Sequence, residues 1–166
     1  MSDEPTDTGP PELPDEPRER VVAIIDRVLD ELDLDAEVKI SEEDDEILAE
    51  IDGEDELGIL IGRRGQTLDA LQLVCYRAAF RGRTDRKRVT VDAARYRERR
   101  RALLEEEAVI AADRAARNAE PVRLEPMSAS ERRMIHEVLK ERTDVETFSE
   151  GDDPDRRVIV APLLSD

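Results

Sequence analysis

Two glycines, Gly62 and Gly65, bracket two arginines between two apolar segments of helical character. Glycine adopts positive φ angles at no steric cost and lets another backbone approach closely. A helix that follows such a turn points its unpaired N–H groups back at it, which favours anions. The sequence therefore predicts a tight turn at which Arg63 and Arg64 meet a phosphate-bearing chain. For a bare Gly-x-x-Gly, an ordinary helix–turn–helix is the alternative.

Helix and strand patterns lie on both sides of this turn. Apolar residues recur at helical spacing after Pro17, and alternating segments follow at about 37–40 and 47–51. Behind the turn we expect an amphipathic helix, and residues 87–91 read as a third strand. The apolar face of that helix is predicted to carry Leu68, Leu71, Val74, Cys75 and Ala78. The first half of the chain is thus helix–strand–strand–helix–turn–helix–strand.

The second half of the chain has a different order of elements. A long helix is expected at about 93–118, followed by a short strand near 122–124. Ser128 and Glu131 form a capping-box pattern, so a new helix should begin there and run to about Lys140. Residues 145–148 and 157–160 read as two closing strands. The fold class is therefore α+β, with two small α/β-layer domains at 17–92 and 93–166, the long helix belonging to the second.

The composition limits what these layers contain. Charged residues make up 42% of the chain and aromatic residues 2%, so the cores must be small and aliphatic. Two Phe, two Tyr and no Trp are too few for the aromatic stacking platforms of RNA-recognition-motif sheets or OB-folds. Residues 1–16 hold four of the nine prolines and no basic residue, which predicts a disordered tail.

Charge is distributed unevenly along the chain. The net charge is −17, yet residues 58–101 carry 13 Lys/Arg against 4 Asp/Glu. Because the Debye length is only ~8 Å at physiological salt, this basic segment can bind a polyanion within an acidic molecule. The acidic residues in the rest of the chain then form either a solubilising surface or a repulsive surface that suppresses non-specific binding. A single cysteine, Cys75, excludes an intramolecular disulfide.

The sequence offers no signal for secretion or membrane insertion. The N-terminus lacks the basic and apolar regions of a signal peptide, and no stretch approaches the ~20 apolar residues of a membrane helix. We therefore expect a cytoplasmic protein without direct membrane insertion.

The turn and the helix behind it are similar to a known signature. Residues 61–71, with the sequence IGRRGQTLDAL, resemble the central motif of a type II KH domain. The resemblance implies that the loop holds about four nucleotides of a single strand. The residues implied as RNA-binding are Ile61, Gly62, Arg63, Arg64, Gly65 and Thr67.

A second motif lies on the capped helix. Arg132 and His136 are four residues apart and share a face, which Lys140 continues and Arg133 adjoins. The segments 124–128, 131–136 and 145–151 are similar to the single-strand-binding domain named for its Arg-x-x-x-His motif. That similarity implies contacts of Arg132, Arg133 and His136 with phosphate or sugar. A purely structural role for His136 is the alternative.

Together, the two motifs over residues 20–162 resemble the Jag family, also called KhpB or SpoIIIJ-associated proteins. The resemblance implies a non-catalytic single-stranded RNA-binding protein, a post-transcriptional regulator or RNA chaperone linked to cell elongation or envelope growth. It also implies a smaller KH protein as a heterodimer partner, and no cofactor or small-molecule substrate. Many members carry an extra N-terminal domain where this sequence has its acidic tail. The alternatives are a protein–protein adaptor and a single-stranded DNA binder.

The remaining charged clusters allow more than one interpretation. Arg95 and Arg99, near the start of the long helix, are candidate secondary contacts together with Lys140, but arginines there can also pair with Glu98 and Glu105. The acidic runs at 42–46 and 52–56 lack the spacing of an EF-hand loop, and no Cys/His cluster exists for zinc. We therefore expect no metal, and one histidine with unfocused acids argues against an enzyme.

Overall fold

The computed structural model describes residues 13–53 and 57–163, and the chain divides into two compact units between Tyr96 and Arg97. Residues 1–12 of the expected tail lie outside the described residues. Residues 13–16 are placed: the Arg20 side chain donates to the carbonyl oxygen of Pro14, and Arg83 donates to that of Asp15 at 3.4 Å. This end of the predicted tail is therefore held against the first unit.

The described part of the first unit contains three α-helices and a three-stranded sheet. Its elements are α1 (Pro17–Glu31), β1 (Ala36–Glu42), β2 (Glu46–Gly53), α2 (Gly58–Ile61), α3 (Gln66–Ala79) and β3 (Arg88–Ala93). Strand β2 lies in the centre, antiparallel to β1 and parallel to β3. Parallel strands require a crossover, and α2, a 3₁₀ turn at Arg63–Gly65, and α3 provide it.

The core of the first unit is aliphatic, as its composition requires. Helix α1 begins with Pro17, where the missing N–H is not needed, and buries Val21, Ile25 and Leu29 at helical spacing. Alternate residues of β2 and β3 pack against these helix residues in the same core. These are Ile47, Ala49, Ile51, Val89, Val91 and Ala93.

The apolar face of α3 differs from the prediction in two positions, Val74, which is exposed, and Ala78, which is only half-buried. Leu68, Leu71 and Cys75 are buried as expected, but Val74 is 54% exposed and Ala79 completes the face instead. Ala79 lies four residues after Cys75 and therefore above it on the same side of the helix. Val74 is rotated away from that side, so the prediction for Val74 was wrong.

The second unit packs two helices against an antiparallel sheet. Its elements are α4 (Tyr96–Asn118, which starts one residue before the unit boundary), β4 (Val122–Arg123), α5 (Ala129–Leu139), β5 (Val145–Glu150) and β6 (Arg157–Pro162). The strand order is β4-β6-β5. Small residues on α4 allow close approach to the rest of this core, which includes Leu104, Ala108, Ala111, Ala112, Ala115, Ile135, Val158 and Val160.

The element order and the α+β class predicted from the sequence are confirmed. The start of the long helix was placed too early: Ala93 is the last residue of β3, and α4 begins at Tyr96. Ala94 and Arg95 lie between them with positive φ angles of 48° and 53°, a left-handed conformation that ends the strand and separates it from the helix. The compact units divide between Tyr96 and Arg97, and the domain bounds 17–92 and 93–166 stay a prediction. Among the described residues, no helix is long and apolar enough to cross a membrane.

Two isoleucines of the second unit offer a matched test of its core. Ile135 is fully buried, whereas Ile110 is 57% exposed. We expect Ile135→Ala to lower the free energy of unfolding by about 3 kcal/mol, because a cavity is left behind. Ile110→Ala should change it by less than about 1 kcal/mol. Chemical denaturation followed by circular dichroism measures both, and equal losses would contradict the assignment of the core.

Candidate nucleic-acid interface

The turn between α2 and α3 depends on glycine at both ends. Gly62 and Gly65 have φ angles of +70° and +80°, a region that residues with a Cβ rarely adopt. A Cβ at residue 62 would lie 2.0 Å from Oγ1 of Thr67, and one at residue 65 would lie 2.7 Å from Cε1 of Tyr96. The turn closes with a hydrogen bond from the Gly65 N–H to the Gly62 carbonyl at 3.3 Å. Its shape is thus set by backbone and packing together.

The side chains of this turn do not all have the same surroundings. Arg63 is exposed, and its side chain forms no ion pair or hydrogen bond within the described part of the chain. Arg64 is half-buried and has a left-handed backbone, with φ 55° and ψ 29°. Ile61 packs against the edge of the core, and Thr67 closes against Gly62. Arg63 is therefore the residue best placed to meet a ligand from solvent.

The start of α3 adds a second attraction for anions. The N-cap residue of this 14-residue helix is Gly65, which has no side chain to accept from the N–H groups of the first turn. Those groups and the positive end of the helix dipole face the turn. Phosphate oxygens are ligands that such an end stabilises, and the guanidinium of Arg63 adds a full positive charge beside it.

In the second unit, Arg132 is buried rather than open to solvent. It is 7% exposed, and one guanidinium nitrogen, Nη1, donates to the Met127 carbonyl at 2.7 Å and to Oδ1 of Asp153 at 2.9 Å. Arg132 thereby ties α5 to the chain before it and to the connection between β5 and β6. The implied contact of Arg132 with a bound strand stays a prediction.

His136 is engaged through both ring nitrogens. Nδ1 lies 2.6 Å from Oγ1 of Thr147, and Nε2 lies 3.2 Å from Oγ of Ser149. Burial lowers the pKa of His136, and the positive charge of Arg132 lowers it further. The ring is therefore neutral at pH 7, with one nitrogen donating and the other accepting. Neither hydroxyl partner was predicted, although Thr147 and Ser149 alternate with Val145 on the side of β5 that faces α5.

Comparison with known proteins places both motifs in recognised domains. The family model "KhpA/KhpB, KH domain" matches residues 18–92, and the model of the Arg-x-x-x-His domain matches residues 102–162. The chain belongs to the KhpB family. It is 37% identical over 146 residues to the RNA-binding protein KhpB of Clostridium symbiosum, a match covering 87% of this chain and 65% of that protein. KH and Arg-x-x-x-His domains bind ligands without catalysing reactions, which agrees with the prediction that the chain is not an enzyme.

Other relatives carry the same name. The RNA-binding protein KhpB of Bacillus subtilis (strain 168) is 34% identical over 128 residues, covering 76% of this chain and 61% of that protein. That of Lactiplantibacillus plantarum is 39% identical over 104 residues, covering 63% and 32% respectively. The chain thus spans less than two thirds of the curated relatives that it matches.

The remaining predicted contacts of the Arg-x-x-x-His domain lie at its surface. Arg133 is exposed and, within the described residues, forms no side-chain hydrogen bond or ion pair. Lys140 caps the end of α5 and pairs with Glu137, which reduces its availability. Arg99 is exposed on α4, whereas Arg95 precedes that helix, in the first unit, and so does not lie in its first turn as predicted.

Neighbouring arginines on α4 are used in ion pairs. Arg101 pairs with Glu105 at 2.8 Å, as the sequence suggested, and Arg100 pairs with Glu131 at 2.8 Å. The Arg101–Glu105 pair is exposed, and exposed pairs contribute about 0–1 kcal/mol each, whereas the Arg100–Glu131 pair is half-buried. The described residues bring together no group of three or more His, Cys, Asp or Glu side chains that could hold a metal ion.

The glycine requirement of the KH turn can be tested with an internal control. Gly65→Ala should lower the free energy of unfolding by about 1–2 kcal/mol, from its left-handed backbone and the contact with Tyr96. Gly58→Ala, at the first position of α2, meets nothing within 4 Å and should be neutral or stabilising. Thermal unfolding of both variants measures the difference, and a neutral Gly65→Ala would contradict the turn geometry.

The state of His136 is directly measurable because it is the only histidine in the chain. An NMR titration should give a pKa below the value of about 6.5 seen for exposed histidine. Because the unfolded chain then binds the proton more tightly, the stabilisation from neutral His136 is present above about pH 6.5 and is lost as the pH falls through the folded pKa.

The non-titrating variant His136→Asn isolates this pH dependence. The stability difference between wild type and His136→Asn should shrink between about pH 7 and pH 5, the range in which the unfolded chain takes up the proton. A folded pKa of His136 equal to or above that of the urea-unfolded chain would refute the assignment of a half-buried, neutral ring.

Proposed function

We propose that this chain is a non-catalytic protein that binds single-stranded RNA, with the turn at residues 62–65 as its main clamp. The observation that supports this most is the turn itself, where two obligatory glycines present the open first turn of α3 and the exposed Arg63 side by side. The curated relatives are named as RNA-binding proteins, and the KH domain model covers this turn.

The Arg-x-x-x-His domain is proposed as a second, weaker contact. Arg133 is exposed and positively charged, so it can meet a phosphate directly. Arg132 and His136 act mainly by fixing α5 against β5 and its following connection, because one is buried and the other neutral. Arg99 and Arg95 supply further positive charge, and the contribution of Lys140 is reduced by Glu137.

Several finer features of this proposal rest on the family resemblance alone. These are a role as post-transcriptional regulator or RNA chaperone and a link to cell elongation or envelope growth. A cytoplasmic location is part of the proposal as well, and it rests on the sequence pattern alone. Nothing in the turn distinguishes a ribose 2′-OH, so single-stranded DNA is an alternative ligand.

A second candidate function is that of an adaptor pairing with a smaller KH protein. The observation favouring it is a pair of adjacent apolar side chains, Leu73 and Val74, which are both more than half exposed on α3. Exposed apolar patches mark interaction surfaces when they are contiguous. The two functions are compatible, since this face of α3 is separate from its first turn.

The clamp is tested by reversing charge at the turn. Arg63→Asp with Arg64→Asp should weaken binding of a labelled single-stranded RNA at least tenfold, because two side chains that attract phosphate are replaced by two that repel it. Aspartate tolerates the left-handed conformation of residue 64, so the fold should persist. Fluorescence anisotropy over a salt series measures affinity. For the wild type we expect log K to fall with log salt at a slope of about −2 to −4, or ~0.7 per phosphate.

The matched control is Arg77→Asp with Arg81→Asp. It makes the same change in net charge at exposed residues in and just after the last turn of α3. This variant should bind nearly as wild type does. Equal loss in both double variants would indicate a general charge effect and refute the clamp. A wild type that shows no salt-dependent binding at micromolar protein would favour the adaptor function.

A further inference from the structure

One aromatic side chain lies where the cores cannot account for it. Phe148 is 46% exposed in the middle of β5, in a chain that has only two Phe, two Tyr and no Trp. Its neighbours Thr147 and Ser149 point towards α5, where they hold His136. Because side chains alternate along a strand, Phe148 projects from the opposite face of the sheet.

The strand register builds a row across that opposite face. Phe148 is paired with Ile159 on β6, and Ile159 is paired with Arg123 on β4. The three residues therefore stand side by side on one face, each about 5 Å from the next. The row runs from an aromatic ring through an aliphatic side chain to a guanidinium group.

The exposed apolar area of this face is small. Ile159 is 2% exposed and its face neighbour Ala161 is buried as well, so among the residues of β4, β5 and β6 the ring of Phe148 is the large apolar group open to solvent, and the exposed Leu163 lies beyond the end of β6. A protein partner would need roughly 800 Å² on each side, far more than one ring offers. A single nucleobase matches it in size and flatness.

The charges of the face fit a nucleotide at Arg123. This side chain is mostly exposed and pairs with Glu150 at 3.7 Å, a long and solvent-exposed contact. Such pairs contribute about 0–1 kcal/mol and exchange readily for a phosphate. Because Glu146, Glu150 and Arg157 share the face with Arg123, its net charge is close to zero.

We infer that Phe148 is a stacking site for one base of a single-stranded nucleic acid, with Arg123 holding a phosphate or sugar beside it. The inference rests on the proposed RNA-binding function and adds a contact on the Arg-x-x-x-His domain that neither sequence motif contains. Since the face is nearly neutral, this contact adds affinity through stacking, whereas the turn at residues 62–65 adds it through charge.

The difference between stacking and charge makes the inference testable. Phe148→Ala in the full chain should weaken binding of a labelled single-stranded RNA about tenfold, since base–aromatic stacking contributes about 1–3 kcal/mol. The loss should be the same at every salt concentration, with the slope of log K against log salt unchanged. Phe148→Tyr, which keeps the ring, should bind as wild type does. Phe148→Leu, which keeps apolar bulk alone, should bind as weakly as the alanine variant.

A second measurement does not depend on comparing affinities. Because the chain contains no tryptophan, Phe148→Trp introduces a single fluorophore at the site. Unlabelled single-stranded RNA should quench its emission, with a midpoint that matches the anisotropy titration. Ile110→Trp places the same probe on an exposed position of α4 and should not be quenched.

The outcomes separate this inference from the proposed function. If the wild type binds RNA but Phe148→Ala or Phe148→Leu binds equally well, the stacking site is wrong and the clamp stands. If saturating RNA leaves the emission of the Phe148→Trp variant unchanged, the stacking site is likewise wrong and the clamp stands. If Phe148→Ala weakens binding while the Arg63/Arg64 double variant does not, the stacking site stands and the clamp is wrong. A wild type that binds no RNA overturns both.

Discussion

The parallel pairing of β2 with β3 is the constraint on which the first unit depends. A parallel pair cannot be closed by a hairpin, so the chain must return along the sheet before β3 can begin. The return consists of two helices, and the glycine turn is the corner between them. The sheet topology therefore also places the start of α3, which favours anions, at this corner, and in the proposed function Arg63 and Arg64 make it a site for a polyanion.

Charge in this chain acts over two distances. At long range a net charge of −17 repels nucleic acid, and at contact the arginines of residues 58–101 attract it. Salt screens both effects, but the repulsion, acting over more than a Debye length, is already largely screened at physiological ionic strength. In the proposed function, the contacts at the turn therefore control the affinity, and the acidic surface mainly disfavours weak, delocalised association.

Local patterns in the sequence predicted most of the elements, and long-range partners were what it could not supply. The glycine turn, the capping box at Ser128 and the alternation of the strands depend on neighbours within a few residues. The partner of Arg132 is Asp153, which lies 21 residues away on a connection with no pattern of its own. The left-handed backbone of Ala94 likewise could not be predicted from the sequence, because alanine rarely adopts that conformation unless the fold imposes it. Val74 was misplaced since helical spacing alone does not say where an apolar stripe ends.

The burial of Arg132 and the neutrality of His136 change what an Arg-x-x-x-His motif does in this domain. The buried guanidinium donates through Nη1 to the Met127 carbonyl and to Asp153, and so links the segment before α5 to the connection between β5 and β6. Its loss would leave the Met127 carbonyl without this partner. His136 forms hydrogen bonds with β5 through the hydroxyls of Thr147 and Ser149, which flank Phe148. The motif thus holds β5 at the point where the strand presents its exposed ring on the other face. If Phe148 stacks on a base as inferred, substitutions of Arg132 or His136 would act on binding through the position of that ring, in addition to any contact that they themselves make with the bound strand.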